Sequence, residues 1–390
     1  MSRAATRLGA AFDLLAAYGA PAGAFFERAG VGVATSGVRE RVAPREAVNR
    51  LRSGGGAVAI GALPFDDADV GSLAIGARSV SRHTSGAGAS LDGFDDGPED
   101  TFELMRGGIA ADAFTAAQVR EVPTAAVYED AVRAATERIR DGELRKVVLA
   151  RTIEVEAGRE LDPRRLAHRL RAVNPDAFTF AMPTHGGVLV GASPELLVAR
   201  HGSVVTSNPL AGSAPRSGDP DEDRANAEAL RASPKNREEH QIVVDAVAET
   251  LLPVCDELAW DPEPVLLETP NVWHLSTRFR GVLRAPAPTV IELVTALHPT
   301  PAVGGTPTAA ALAAIRDLEP IDRGLYAGPV GWVDAAGDGE WAIALRCALL
   351  RGSHATLYAG AGIVAASEPA AEADETDRKF RAFLDALRWG

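Results

Sequence analysis

Cysteine is nearly missing from this sequence: Cys255 and Cys347 are the two in 390 residues. They lie far apart and without metal-ligand spacing, so a zinc ribbon is excluded, a disulfide is not implied, and a reducing cytoplasm suits the chain best. A surplus of positive charge is missing too. The net charge is −13, which argues against non-specific nucleic-acid binding and offers a membrane no basic surface. No apolar run approaches membrane-spanning length. Residues 1–19 place Arg3 and Arg7 before an apolar run, but that run contains Asp13 and is too short for a secretion signal. Any anionic ligand must therefore find its positive partners locally.

What is present is ordinary for a soluble globular chain, 46% hydrophobic and 24% charged. The length allows one large domain or two, with ample material for a core. Short apolar runs at 23–26, 57–65 and 72–75 read as strands. Residues 84–100 read as a small, polar, acidic connector, expected to be mobile. After Pro123 a helix is expected, with Val127, Ala131, Ala134 and Ile139 on one face and Gly142 closing it. Lys146–Arg151 follows as a strand running on to Val155, so apolar that both faces should be covered. A helix at 163–173 leads to a hairpin of 178–181 against 188–191, and Ser193-Pro194-Glu195 then breaks the next strand. Asn208–Ser213 reads as a glycine turn. Ser233 and Pro234 supply the cap and first residue of a helix to Leu252, with Glu238 and Glu239 in its first turn. A short helix at 288–297 precedes a final meander through 331–334, 341–350 and 356–364, with Arg346 inside a strand. No tandem repeat is present. Helices interspersed among hairpin-joined strands define an α+β class with largely antiparallel sheets.

The stretch from Tyr358 to Val364 reads as a strand entering a glycine turn, followed by a helix that starts just after Pro369. Gly360 and Gly362 leave backbone N–H groups unshielded, and Glu372 and Glu375 project together from the first helical turn. Carboxylates beside bare backbone suit a hard cation together with an anion. Acidic residues in a first turn also simply complement the helix dipole, and that plainer reading is the commoner one for any such stretch taken alone. The same holds for Lys146, Glu195, Glu239, His274 and Arg346 singly. As a set they supply a base, an acid, a carboxylate-binding cation and oxygen ligands, which is a kit for acid–base chemistry on an anionic molecule. Glu195, at a break between apolar segments, should have a raised pKa.

Nine segments in one order carry a resemblance: 146–151, 191–197, 209–213, 235–245, 274–277, 297–305, 326–334, 341–347 and 360–375. The chain resembles the chorismate-utilising enzymes, most closely their isochorismate synthase branch, strongly over 120–390 and weakly through 61–65. The resemblance implies layered, largely antiparallel sheets flanked by helices, with residues 1–115 as an N-terminal part of the fold and 120–390 as the chorismate-binding core. It implies one Mg²⁺ bound by Glu239 and Glu375 with Glu372 beside them. Arg346 would hold the enolpyruvyl carboxylate, helped by backbone at Gly360, Ala361 and Gly362. Gly212 and Ser213 would line the ring pocket, with His274 and Ala302 close to it. Lys146 would activate a water that attacks C2 and Glu195 would protonate the departing C4 hydroxyl.

The branch follows from particular residues. Ala211 stands where one type of aminodeoxychorismate synthase has a nucleophilic lysine. Pro299–Gly305 replaces the Ser-Gly-Ala-Pro-Lys pattern of the branches that take ammonia from a glutaminase, so no glutaminase partner is expected, and the family favours a monomer. Alanine at 302 favours stopping at isochorismate over continuing to salicylate with loss of pyruvate. A non-catalytic chorismate-binding homologue should have lost Lys146, Glu195 or a metal glutamate, and none is lost. A zinc hydrolase built on His240, His274 and His298 lacks any supporting spacing. Whether the product feeds a catechol siderophore, menaquinone or another pathway is not written in the sequence.

Overall fold

The computed structural model describes residues 13–67, 71–82, 90–92 and 116–388. In chain order β1 (Phe25–Arg28), β2 (Val31–Val42), a single turn α1 (Ala47–Arg50), β3 (Val58–Ala62), β4 (Leu73–Arg82) and β5 (Ser90–Asp92) come first. Next are β6 (Ala116–Val122), α2 (Ala125–Arg140), β7 (Lys146–Ala157), α3 (Pro163–Val173), β8 (Phe178–Thr184) and β9 (Gly187–Ser193). The middle holds β10 (Leu196–His201), β11 (Val204–Asn208), β12 (Leu210–Pro215), α4 (Pro220–Ala232) and α5 (Pro234–Leu251). Then come β13 (Cys255–Trp260), β14 (Val265–Glu268), β15 (Val272–Ser276), β16 (Phe279–Leu283) and α6 (Val290–Leu297). The chain finishes with β17 (Gly305–Thr306), α7 (Thr308–Leu318), β18 (Pro329–Asp334), β19 (Gly339–Ile343), β20 (Cys347–Arg351), β21 (His354–Ile363) and α8 (Pro369–Arg388).

Every pairing between these strands is antiparallel, as expected for an α+β chain. One ladder runs β6–β7–β21–β20–β9–β8–β1–β2–β4–β3–β18–β19–β10–β11–β16–β13, and a small second sheet holds β12, β15 and β14. The first strands are woven into the large sheet: β1 pairs with β8, and β3 with β18. Helices α2 and α7 pack over one core with Val147 and Leu149, while α3 and α8 cover another with Ile153 and Val155. Strand β7 is accordingly buried on both faces over 146–153, which is what its unbroken apolar run demands.

Several local expectations shift. In α2 the buried residues are Tyr128, Val132, Ala135, Thr136 and Ile139, and Val127 is 48% exposed. Alanine at so many positions makes two stripes nearly equal in hydrophobicity, and Tyr128 decides between them by donating from its hydroxyl to Leu149 O at 3.0 Å. Gly142, at φ +82°, ends the helix as expected. Residues 360–363 form no turn; they continue β21 in register with β7, Gly360 opposite Ala150 and Gly362 opposite Val148. The 208–213 segment joins the end of β11 to the start of β12 through Pro209, and Gly212, at φ +71°, is a bulge within β12 where the register to β15 slips. Glu239 lies in the second turn of α5, because the helix starts at Pro234. Helix α8 starts at Pro369, which leaves Glu372 in its first turn and carries Glu375 into its second. Arg346 sits between β19 and β20, outside either strand, with φ +49°. Of the expected 84–100 connector, residues 90–92 form β5 and the rest lie outside the described residues, as do Arg3 and Arg7. Cys255 and Cys347 are both buried free thiols. No helix among the described residues is long and apolar enough to cross a membrane.

Candidate active site

A cavity of about 70 Å³ lies where β7, β21, the bulge of β12, and helices α5 and α8 converge. A wider surface groove of about 460 Å³ runs between α2 and α7, but Arg138 and Asp317 pair with each other there and no set of polar groups converges on it. The first cavity is lined by Glu195, Gly212, Ser213, Glu239, His274, Ala302, Arg346, Gly360, Gly362 and Glu375, all expected from the sequence. Lys146 and Glu372 are not among the lining residues, Lys146 pairing with the lining Glu239 and Glu372 with Lys235, and neither is Ala361. Strand alternation turns its side chain into the core, while Gly360 and Gly362 face the cavity.

Three ion pairs organise the charge, the first buried and the other two part-buried. Lys146 Nζ lies 3.0 Å from Glu239 Oε1, Lys235 Nζ lies 2.8 Å from Glu372 Oε1, and Lys379 Nζ lies 2.5 Å from Glu375 Oε1. Lys146 is fully buried, and although Glu239 is within ion-pair distance, its ammonium makes no aligned hydrogen bond. A buried donor with unused capacity is rare and marks a group built to meet something else. Gly362 lets Glu239 into place: a Cβ there would stand 2.2 Å from Glu239 Oε1 and 3.1 Å from Lys146 Cε.

The carboxyls differ in character. Burial pushes Glu195 up to about 7, against the pull of the Leu210 N–H and of Lys146, Arg346 and Lys379. A carboxyl near 7 is half protonated at neutral pH and can donate a proton. Burial acts upward on Glu375 as well, but the Lys379 ammonium and hydrogen bonds from Lys379 and Ser213 hold it down at about 2. Glu372 is raised, by burial first and then by the charge of Glu375.

His274 and Arg346 form a relay. His274 Nδ1 lies 3.1 Å from Gly212 O, which can only accept, so Nδ1 carries the proton. Its Nε2 accepts from Arg346 Nη2 at 3.1 Å. Burial, reinforced by Arg346, lowers His274 to about 3 and keeps it neutral in this role. The guanidinium is thereby aimed from a backbone held in the left-handed region, a conformation that costs energy for a residue other than glycine. His240, beside Glu239, is lowered to about 4 by burial and then by Lys146, and its Nε2 bonds the Thr277 hydroxyl at 2.7 Å.

Helix α8 is fixed to β7 by Arg151. That fully buried guanidinium donates to Thr376 Oγ1 at 2.8 Å and Asp377 Oδ1 at 2.5 Å, between the rings of Tyr128 and Phe380. Sequence reasoning singled out Glu372 and Glu375 but missed Lys379 and Lys235, and it missed Tyr326, whose ring stacks on Tyr358 at 5.1 Å and lines the cavity. A signal was available. The chain contains three lysines, and all the rest of its 40 basic residues are arginine. All three lysines pair with the glutamates singled out here.

Hard oxygen donors of this kind fit a small divalent cation. Among the described residues no three carboxylate, imidazole or thiol groups form a ready-made cage, and Glu239, Glu372 and Glu375 are each paired with a lysine. The fit is therefore one of donor chemistry.

The family model described as "Chorismate binding enzyme" matches residues 107–388. The chain belongs to this chorismate-binding enzyme family. Isochorismate synthase DhbC of Bacillus subtilis is 45% identical over 276 residues, 69% of each chain. Isochorismate synthase EntC of Escherichia coli K12 is 38% identical over 333 residues, 85% of this chain and 81% of that one. The solved structure of DhbC from Bacillus anthracis superposes with a TM-score of 0.85 at 37% identity, covering 97% of this chain and 99% of the other. The expected α+β chorismate-utilising fold is thus the observed one.

Proposed function

We infer that this member of the family is an isochorismate synthase, an isomerase that converts chorismate to isochorismate. One observation carries the reading: a buried carboxyl poised near 7, Glu195, shares its cavity with a glutamate that holds the buried amine of Lys146. Arg346 and Lys379, both lining that cavity, are the cations a dianionic substrate requires. Relatives named for this activity, aligned over two thirds or more of both chains, support the same assignment.

In this reading Arg346, oriented by His274, binds the enolpyruvyl carboxylate in a bidentate manner. Glu239 and Glu375 would hold Mg²⁺, with Glu372 beside them, and a bound Mg²⁺ supplies positive charge for the ring carboxylate. Lys146, in its neutral form, takes a proton from water as the oxygen bonds to C2. The ring double bonds shift, the C4–O bond breaks, and Glu195 gives its proton to the departing hydroxyl, which leaves as water. One water enters and one leaves, so there is no redox change. One group that accepts a proton and one that donates it are what such an exchange needs.

The test is incubation of the protein with chorismate and Mg²⁺, with products identified by mass and ultraviolet spectrum. Isochorismate alone is expected. Stoichiometric pyruvate would reassign the chain to the salicylate-forming branch, and bound but unconverted chorismate would make it a binding homologue.

A further inference from the structure

One edge of β7 is paired along 147–156 by β21. The opposite edge is covered by β17 at Lys146 and Val147, and by β6 only from Thr152 onward. Among the described residues, no strand pairs with 148–151 on that edge. A buried ion pair from outside the sheet occupies the gap. Arg323 Nη2 donates to Val148 O at 2.7 Å, and Glu319 Oε1 accepts from Ala150 N at 2.7 Å. The two side chains, each 3% exposed, are bonded to each other through Nε–Oε2 at 2.9 Å and Nη2–Oε1 at 2.5 Å. Arg323 Nη1 also donates to Val303 O at 2.8 Å, and its guanidinium lies 4.2 Å over the Phe65 ring. Val148 and Val303 both line the active-site cavity, and Lys146 is two residues before Val148 on the same strand.

We propose that Glu319 and Arg323 are a positioning pair for proton transfer at Lys146. They act as a two-residue substitute for the missing strand and lock β7 to the turn that carries Ala302 and Val303. The bland alternative is a purely structural ion pair, but such a pair is weak evidence for stability, because its desolvation cost offsets its attraction. What this one does supply is geometry, since one planar fork holds two carbonyls, Val148 O and Val303 O, of residues that line the cavity. The inference rests on the reading of Lys146 as the proton-accepting group.

The experiment compares wild type, Lys146→Ala, Arg323→Lys, and the double variant Arg323→Met with Glu319→Gln. The double variant leaves no unpaired buried charge, and the glutamine amide oxygen it introduces can still accept from Ala150 N–H. For each, kcat and KM for chorismate are measured beside the thermal midpoint. The expected result for the double variant is a kcat lower by about 10–100-fold at a KM within about threefold of wild type. Arg323→Lys should recover part of the loss. A folded double variant with wild-type kcat overturns the proposal, as does a loss fully accounted for by unfolded protein. If the double variant does not fold, Arg323→Lys decides in the same way. Wild-type turnover in Lys146→Ala would sink the base assignment and this inference with it, whereas an essential Lys146 beside silent Arg323 variants would sink this inference alone.

Discussion

Glu195→Gln should stabilise the protein at neutral pH while disabling it. The wild-type carboxyl is pushed from 4.5 to about 7 by burial. Between those values the unfolded chain has released this proton and the folded chain has kept it. Its contribution to stability is therefore fully present below about 4.5 and is lost as pH rises through about 7. A displacement of that size corresponds to about 3 kcal/mol. Glutamine fills the same volume, accepts from Leu210 N–H and never ionises, so it escapes the loss. With roughly 2.1 cal/mol/K of unfolding entropy per residue, 390 residues convert 3 kcal/mol into a difference of about 4 °C in melting temperature. The assay is calorimetry or dye-monitored melting of both proteins from pH 5 to 8.5. The variant-minus-wild-type difference should grow up to pH 7 and then level off. Turnover should fall by about 10²–10⁴-fold for want of a proton donor. A melting difference that stays flat across this range would refute the claim that Glu195 is a neutral acid at rest.

Other expectations follow from the same geometry. Lys146→Ala should slow chorismate-to-isochorismate and its reverse by one common factor, about 10²–10⁴-fold or more, with the equilibrium ratio unchanged; near-wild-type turnover would remove lysine as the base. Arg346→Ala should chiefly raise KM for chorismate, and a lost kcat at unchanged chorismate Kd would show that the residue does chemistry instead. EDTA should abolish activity and Mg²⁺ restore it, with Glu239→Gln or Glu375→Gln mimicking chelation. Full turnover by metal-free Glu375→Gln would rule out that ligand assignment.

The sequence made the class, most element bounds and most of the cavity legible, for reasons that can be named. Helix α3 was bounded by its own chemistry, Asp162 capping and Pro163 opening it. The break at Ser193–Glu195 was visible because proline cannot extend a strand interior. What failed was long-range. Gly360 and Gly362 look like a turn locally, and only the ladder to β7 makes them strand. Arg346 reads as part of an apolar strand, because a left-handed residue other than glycine leaves no local mark. The register of α2 hinged on a carbonyl in another element, Leu149 O. The lysines partnering Glu372 and Glu375 could not be placed by spacing alone, although Lys379 stands four residues after Glu375 in a helix already singled out.

A chain whose three lysines all pair with the glutamates of one site carries a spectroscopic reporter by birth. Isotope labelling of lysine alone would yield three side-chain amine signals, each assignable to one carboxylate partner, with no surface background to subtract. The same scarcity has a practical edge. Amine-directed conjugation, used to tether enzymes to beads or sensor chips, finds no lysine outside these three ion pairs, so material coupled through lysine would be material with an altered candidate site.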